Sequence, residues 1–304
     1  MKKLNALLIM SLLLILSSCS SDDDDNNGKV SNTTKDLVSI TEDYYTNNTP
    51  TASSKFNFYY DKLINIQHSN GSYDDIYYER GLISRILEFD ANNNLEWTIT
   101  YAYNSFNQLI QKKVIPSPNN PITVSRQKDF VYNGNVIQSE NSWSDGGFHA
   151  NTITLNSDNF MIEDKLFNSD NDLVDQRLFE YVNNNLTKQT KNNADNNTTY
   201  EETYNYLNKT SSKEYRYSQY LFGSEWKNNS ALNTQFGLGQ QRATKISENY
   251  VSDYHAYHFV LNVSVTGTFS YEFDANDYIL KQTETITRTS TADIYKTVTT
   301  YQYE

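Results

Sequence analysis

The chain contains 304 residues, with 25 Lys and Arg against 37 Asp and Glu, and its formal net charge is −12. Because proteins bind nucleic acid through basic contacts to the phosphates, this charge balance excludes a nucleic-acid partner. A single cysteine excludes an internal disulfide, and 25 Tyr and 14 Phe against 10 Gly and 4 Pro favour strands.

The N-terminus has the pattern of a cleaved export signal. Lys2 and Lys3 precede an apolar run over residues 6–16, which is shorter than the roughly 20 apolar residues of a membrane span. The run ends in Leu-Ser-Ser-Cys, which resembles the lipobox of bacterial lipoproteins. That resemblance implies a signal peptide over residues 1–18, cleavage between Ser18 and Cys19, and a lipid on Cys19. An ordinary secretory signal with an incidental cysteine is the alternative.

Residues 19–36 form an acidic segment, with four consecutive aspartates at 22–25. A block of like charges repels itself and buries nothing, so we expect a disordered tether. The block also resembles the acidic export signal that follows the lipidated cysteine in surface lipoproteins of Gram-negative bacteria. The resemblance implies an outer-membrane protein, anchored to the membrane by its N-terminal lipid, that faces the cell exterior rather than the periplasm.

One seven-residue pattern recurs along the chain: a large apolar residue, Asx, Ala or Ser, any residue, Asx, any residue and an aliphatic residue. Its copies occupy residues 89–95, 103–109, 155–161, 167–173 and 273–279. Shorter variants begin at Tyr60, Tyr78, Tyr132 and Tyr181.

Each constant position of the pattern has a physical reason. The first Asx can accept a hydrogen bond from the backbone two residues on and so begin a turn. The second Asx, Asn93 in the first copy, takes the position that needs a positive φ, which Asn and Asp tolerate better than other non-glycine residues. The flanking apolar residues return to the core, so the pattern predicts a hairpin turn.

The segments between the turns alternate in polarity. From Leu95 to Tyr103 the odd positions are apolar or aromatic, which predicts a half-buried strand. We therefore predict an all-β fold, a long curved antiparallel meander of β-hairpins over residues 37–304, and leave open whether the sheet curls on itself. Residues 218–246 lack alternation and are interpreted as an irregular insertion, with a short helix near 230–236.

The turn pattern and the overall layout of the chain resemble a known protein family. The phrase [Tyr/Phe]-[Asp/Asn]-x-x-[Gly/Asn]-x-Leu is similar to the YD repeat of RHS-type proteins, and the lipobox, acidic tether and hairpin sheet together resemble YD-repeat-like bacterial surface lipoproteins. The resemblance covers most of residues 56–210 and resumes at 269–304. Most turn glycines of the RHS form are replaced here by Asn. The resemblance implies architecture and names no active site.

Catalytic and metal signatures are missing from the sequence. It contains no nucleophile elbow, zinc-protease helix, phosphate loop or dinucleotide fingerprint. His255 and His258 are three apart on a segment, Val251 to Val265, that is predicted to be one strand, so they should face opposite sides of the sheet. We expect no enzyme, no cofactor and no metal.

The aromatic residues are the remaining candidates for function. Trp97, Tyr101 and Tyr103 are expected in the core, whereas Trp143, in a predicted loop, and Trp226, in the insertion, are the candidate ligand contacts. The first hypothesis is a non-enzymatic, lipid-anchored cell-surface protein that binds an extracellular polymer such as a glycan, or a partner protein. The alternative is a structural or envelope-assembly lipoprotein that covers lipid or an outer-membrane protein complex.

Overall fold

The computed structural model of the chain describes residues 35–60, 62–211 and 247–304. Residues 35–304 belong to one compact unit. The predicted signal peptide, Ser18, Cys19, the acidic tether up to residue 34 and the whole predicted insertion over 218–246, with Trp226, lie outside the described residues.

The described residues form eighteen strands. They are β1 (Leu37–Thr46), β2 (Thr49–Tyr59), β3 (Lys62–His68), β4 (Tyr73–Glu79), β5 (Leu82–Phe89), β6 (Leu95–Tyr103), β7 (Leu109–Pro116), β8 (Arg126–Asn133), β9 (Val136–Trp143), β10 (Phe148–Leu155), β11 (Met161–Phe167), β12 (Leu173–Val182), β13 (Asn185–Asn193), β14 (Thr198–Thr210), β15 (Asn249–His258), β16 (Val263–Phe273), β17 (Ile279–Arg288) and β18 (Ile294–Tyr303). The predicted strand from Leu95 to Tyr103 is β6, so this prediction is confirmed.

The sheet closes into a β-barrel. Each strand pairs antiparallel with the next one along the chain, and β18 pairs antiparallel with β1, where Ile40 lies opposite Tyr301. Two backbone hydrogen bonds between Asp36 and Glu304, of 3.3 and 3.1 Å, extend this seam. The predicted meander of hairpins is therefore confirmed, and the curved sheet, for which the sequence left open whether it curls on itself, closes into an 18-stranded barrel. Closure has a physical reason, because it gives both edge strands a hydrogen-bonding partner.

Successive turns alternate between the two ends of the barrel. We call the end that carries Asp36 and Glu304 the entry end and the opposite one the far end. Ser211 and Ser247, which flank residues 212–246, are joined at the entry end by a hydrogen bond of 3.1 Å from the Ser211 hydroxyl to the Ser247 carbonyl.

The five heptads are hairpin turns, as predicted. In each, the first apolar residue ends one strand and the last begins the next. The first Asx accepts a backbone hydrogen bond from the residue two positions on; for Asp90 and Asn92 the distance is 2.9 Å. The second Asx has a positive φ in every copy, at Asn93 (65°), Asn107 (62°), Asn159 (63°), Asn171 (64°) and Asp277 (65°).

A sixth copy of the same turn escaped the sequence pattern. It joins β13 to β14, where Asn193 accepts hydrogen bonds from the backbone of Asp195 and Asn197, and Asn196 has a φ of 61°. The flanking positions are the polar residues Asn192 and Thr198, so a search that requires apolar flanks misses it. The turn geometry depends on the two Asx residues and not on the flanks.

Replacing Asn93 with Val should test the turn chemistry. A β-branched residue at a φ of 65° is strained, so we expect the free energy of unfolding to fall by about 1–2 kcal/mol. Chemical denaturation of the Asn93→Val and Asn92→Val variants gives the comparison, since Asn92 is exposed in the same turn and its φ is not positive. Equal stability of the two variants would contradict the assignment.

The apolar core is concentrated towards the entry end, and tyrosine hydroxyls link neighbouring hairpins there. In four places an inward tyrosine donates to a backbone carbonyl near the start of an earlier strand, at 2.6–2.9 Å: Tyr78 to Leu63, Tyr132 to Leu109, Tyr271 to Val251 and Tyr303 to Ile279. Tyr206 donates to Leu186 in the same way. The apolar ring packs in the core while its hydroxyl remains satisfied, which explains why tyrosine suits this position.

The outward faces of β16 and β17 are mostly polar. Most outward positions on β16 and β17 carry Ser, Thr, Glu or Lys, namely Ser264, Thr266, Thr268, Ser270, Glu272, Lys281, Thr283, Thr285 and Thr287, and the exception is Leu280, which is exposed at a bulge near the start of β17.

Over the part of the chain that the structure describes, no helix is long and apolar enough to cross a membrane.

Candidate functional site

The barrel encloses a chamber of about 760 Å³. Its walls come from inward side chains of ten consecutive strands, β8 to β17. This volume lies within the range of about 300–1,000 Å³ that is usual for small-molecule sites. The chamber is the candidate site because it combines that size with convergent aromatic and polar groups.

The floor of the chamber is apolar and aromatic. Phe179, Tyr204 and Tyr254 are buried, and the ring centroids of Tyr204 and Tyr254 are 6.1 Å apart. Phe269 lies 6.1 Å from Tyr254, centroid to centroid, and the Tyr254 hydroxyl donates to Glu284 at 3.2 Å. Flat aromatic surfaces with polar edges suit ligands that are themselves amphipathic.

The walls become charged towards the far end. Arg288 ends β17 there and is exposed, and Lys191 and Asp175 form an ion pair of 2.9 Å. Deeper in the chamber, Asn151 donates to Asp164 at 2.9 Å, and burial raises the pKa of the Asp164 carboxyl. Exposure therefore increases from the floor to the far end, so water and solutes reach the chamber from that end.

A second set of inward titratable groups lies outside the chamber, on β2 to β7. The Ser54 hydroxyl is 3.0 Å from His68 Nδ1, and His68 Nε2 is 3.4 Å from Asp74. Glu88 lies opposite Asp74, and burial, followed by repulsion from Asp74, raises the pKa of Glu88 to about 7. Burial also lowers the pKa of Lys112 to about 8.

Of the two candidate ligand contacts, only Trp143 is described. The sequence predicted a loop, but Trp143 is the last residue of β9, and it is half-buried against His149 in an edge-to-face contact with ring centroids 5.3 Å apart. Its ring also packs on Gly147, where a Cβ atom would be 3.0 Å from Cε3 of the tryptophan. It is not among the residues that line the chamber.

His255 and His258 face opposite sides of the sheet, as predicted. His258 lines the chamber, whereas His255 is exposed and 2.8 Å from the Ser264 hydroxyl. The predicted continuous strand from Val251 to Val265 was wrong, because a turn interrupts it after His258 and Asn262 adopts a φ of 52°. Within residues 35–60, 62–211 and 247–304 no cluster of three or more His, Cys, Asp or Glu is placed to hold a metal ion.

Sequence reasoning missed the charged residues of the chamber. Asp175 and Arg177 alternate with the buried Phe179 on β12, so all three face inward, whereas a bulge before Asp175 removes Leu173 from this alternation. A charged residue in the same alternation as core positions is the signal that would have found them.

No protein-family model and no curated protein matches the sequence. Among solved structures, the chain is similar to a porin-like protein from Bacteroides uniformis, with a TM-score of 0.49, 11% identity, and coverage of 88% of this chain and 98% of that one. It is also similar to a porin-like protein from Bacteroides vulgatus (TM-score 0.41, 11% identity, coverage 88% and 99%) and to a chain of the TcdB2-TccC3-Cdc42 structure (TM-score 0.24, 10% identity, coverage 84% and 14%). Because these similarities are low, the fold of this chain is assigned from its own strand pairing.

Proposed function

We propose that this protein is a non-enzymatic, lipid-anchored cell-surface protein that binds an extracellular glycan inside its barrel. The observation that carries the proposal is the chamber, which has aromatic rings at its floor and amide and charged groups on its walls. Sugars present apolar ring faces and hydroxyl edges, so they need both kinds of surface.

The position of the chain entry supports display of the chamber away from a membrane. The described chain enters the barrel at the entry end, where Asp36 pairs with Glu304, whereas the charged part of the chamber lies near the far end. A lipid on Cys19 would attach the protein through the segment that precedes Lys35. The far end would then be the end free to meet a ligand outside the cell.

Replacing Cys19 with Ala tests the anchor. We expect the variant to leave the membrane fraction and appear as soluble protein, because the acyl chains that hold the protein cannot be attached. Fractionation of cells that express the wild type and the Cys19→Ala variant measures this directly. Persistence of the variant in the membrane fraction would show that something other than the lipid holds the protein.

Binding is tested by calorimetric titration of the full chain with neutral and acidic oligosaccharides. We expect saturable binding that is weakened by Tyr200→Ala, which removes an aromatic wall residue of the chamber, and unchanged by Tyr257→Ala on the outward face of the neighbouring strand. Absence of saturable binding, or equal loss in both variants, would count against the proposal.

The inward group most like a hydrolytic site consists of Ser54, His68 and Asp74. Its geometry supports catalysis less well than the chamber supports ligand binding. The 3.4 Å separation between His68 and Asp74 is longer than a usual hydrogen bond, and Glu88 opposite Asp74 adds a second acid to the group. Under our proposal the wild type and Ser54→Ala hydrolyse 4-nitrophenyl acetate at equal rates. A faster wild type would instead indicate an enzyme.

One observation favours the alternative role in envelope assembly. Phe259, Val260 and Leu261 form an exposed apolar turn at the far end, with 48%, 72% and 66% of their surfaces accessible. Consecutive exposed apolar residues are typical of protein contacts. If a partner protein binds there, replacing all three residues with Ser should abolish co-purification from detergent-solubilised membranes and leave glycan binding unchanged.

A further inference from the structure

The charge of the chamber is opposite to that of the chain. Acids outnumber bases by 37 to 25 overall, but the chamber lining contains four cations against three acids. The cations are Lys128, Arg177, Lys191 and Arg288, and the acids are Asp164, Asp175 and Glu202. Bases are therefore enriched at the one place where the proposed ligand would bind.

Two inward pairs of cations lie directly opposite each other across neighbouring strands. Arg177 of β12 faces Lys191 of β13, and Lys112 of β7 faces Lys128 of β8. Like charges in this register are destabilising. Burial lowers the pKa of both Lys112 and Lys128, and repulsion from Lys128 adds to the effect on Lys112. An anion bound between such cations would reduce their mutual repulsion and the unfavourable free energy of burying their charges.

The acids of the chamber only partly neutralise these cations. Asp175 is 2.9 Å from Lys191, and Asp164 lies opposite Arg177 and accepts a hydrogen bond from Asn151. The carboxyl of Asp164 has a raised pKa because it is buried, so its negative charge is held less firmly than that of an exposed aspartate. Arg177 also retains the planar fork that binds a carboxylate through two parallel hydrogen bonds.

The rest of the lining determines which anion fits. Asn141, Asn151 and Gln189 line the same walls, and the aromatic floor lies below them. Amides exchange hydrogen bonds with hydroxyl groups, and aromatic faces cover apolar ring surfaces. A sugar acid presents hydroxyls, a ring face and a carboxylate together, whereas an acidic peptide presents carboxylates on flexible apolar stems.

We propose that the chamber selects acidic oligosaccharides, with a sugar carboxylate bound between Arg177 and Lys191. This inference rests on the proposed glycan-binding function and specifies the ligand class. Lys128 faces the same space from β8, and Arg288 provides the first positive charge that a ligand meets at the far end.

The test is calorimetric titration of the full chain with trigalacturonate, a neutral galactose trisaccharide and hexaglutamate. We expect trigalacturonate to bind at least about tenfold more tightly than the other two, and its affinity to fall as salt is raised. Arg177→Gln and Lys191→Gln should each weaken trigalacturonate binding about tenfold and leave the neutral sugar unaffected. Lys188→Gln, on the outward face of β13, is the matched control and should change nothing.

The possible results separate the inference from the function on which it rests. Equal affinity for the acidic and neutral sugars overturns the charge selection while the glycan-binding function stands. Equal affinity for hexaglutamate shows a general polyanion site and also overturns it. Binding of none of the three ends both proposals. If the buried-site variants fail to fold, Arg288→Gln at the exposed edge keeps the test available, because an unchanged affinity for trigalacturonate in that variant contradicts the proposal.

Discussion

Among Gly→Ala substitutions in the described sheet, Gly267→Ala should destabilise the barrel the most. Gly267 lies inward on β16 directly opposite Tyr254, and a Cβ atom there would be 2.0 Å from Cε1 of the tyrosine ring. Tyr254 is buried, so its ring cannot move away without disturbing the chamber floor. We expect the free energy of unfolding to fall by about 2–3 kcal/mol, as is typical of overpacked cores.

A double-mutant cycle separates this clash from a general effect of removing a glycine. The Tyr254→Ala/Gly267→Ala variant should lose less stability than the sum of the two single variants, since the truncated tyrosine makes room for the new methyl group. Thr268→Ala, on the outward face of the same strand, is the control and should stay within about 0.5 kcal/mol of the wild type. Additive losses in the cycle would mean that the ring does not lie over Gly267.

The second large effect concerns the dependence of stability on pH. Burial, followed by repulsion from Asp74, raises the pKa of Glu88 from 4.5 to about 7 in the folded protein. The folded state therefore binds more protons than the unfolded state between these two values, and the stability that Glu88 contributes falls as the pH rises through this range. The loss should approach about 3 kcal/mol, in proportion to the size of the pKa shift.

Lys112 should give the opposite slope at higher pH. Its pKa falls from 10.5 to about 8, mainly because it is buried, so the unfolded state binds more protons between these values and stability rises with pH. Together the two residues predict a minimum in their contribution to stability between about pH 7 and pH 8.

Denaturant titrations across the pH range test both slopes. Glu88→Gln should remove the acid-side slope, Lys112→Met should remove the alkaline one, and Glu140→Gln on the outward face should leave the profile unchanged. A wild-type profile that coincides with that of Glu88→Gln would contradict the placement of Glu88 on the inward face.

The turns and strands could be predicted from the sequence because their determinants are local. Asp90 and Asn93 form the turn through hydrogen bonds and backbone preference within seven residues, and the same chemistry recurs in four other copies. The alternation of β6 could likewise be read directly from residues 95–103. Each of these features depends only on neighbours in the chain.

Closure and the chamber could not be predicted in the same way. The seam joins Ile40 to Tyr301, and no local pattern in either strand specifies the other as its partner. The chamber depends on the register of ten strands, which decides that Arg177 faces Lys191. Trp143 shows the same limit, since the adjacent segment Ser-Asp-Gly-Gly predicted a loop whereas pairing with Arg126 of β8 places the residue on β9.

Formation of a disulfide across the seam between β1 and β18 tests most directly whether the barrel is closed. Thr41 and Thr300 are outward partners in that pairing, so we predict that a Thr41→Cys/Thr300→Cys variant, made with Cys19→Ala, forms an intramolecular disulfide on mild oxidation. Thr41→Cys/Thr203→Cys, with the second cysteine on β14, should remain reduced. Mass spectrometry of the digested protein detects the crosslinked peptide. If the two cysteines introduced at the seam stay reduced under the same conditions, or crosslink only between molecules, the sheet is open and encloses no chamber.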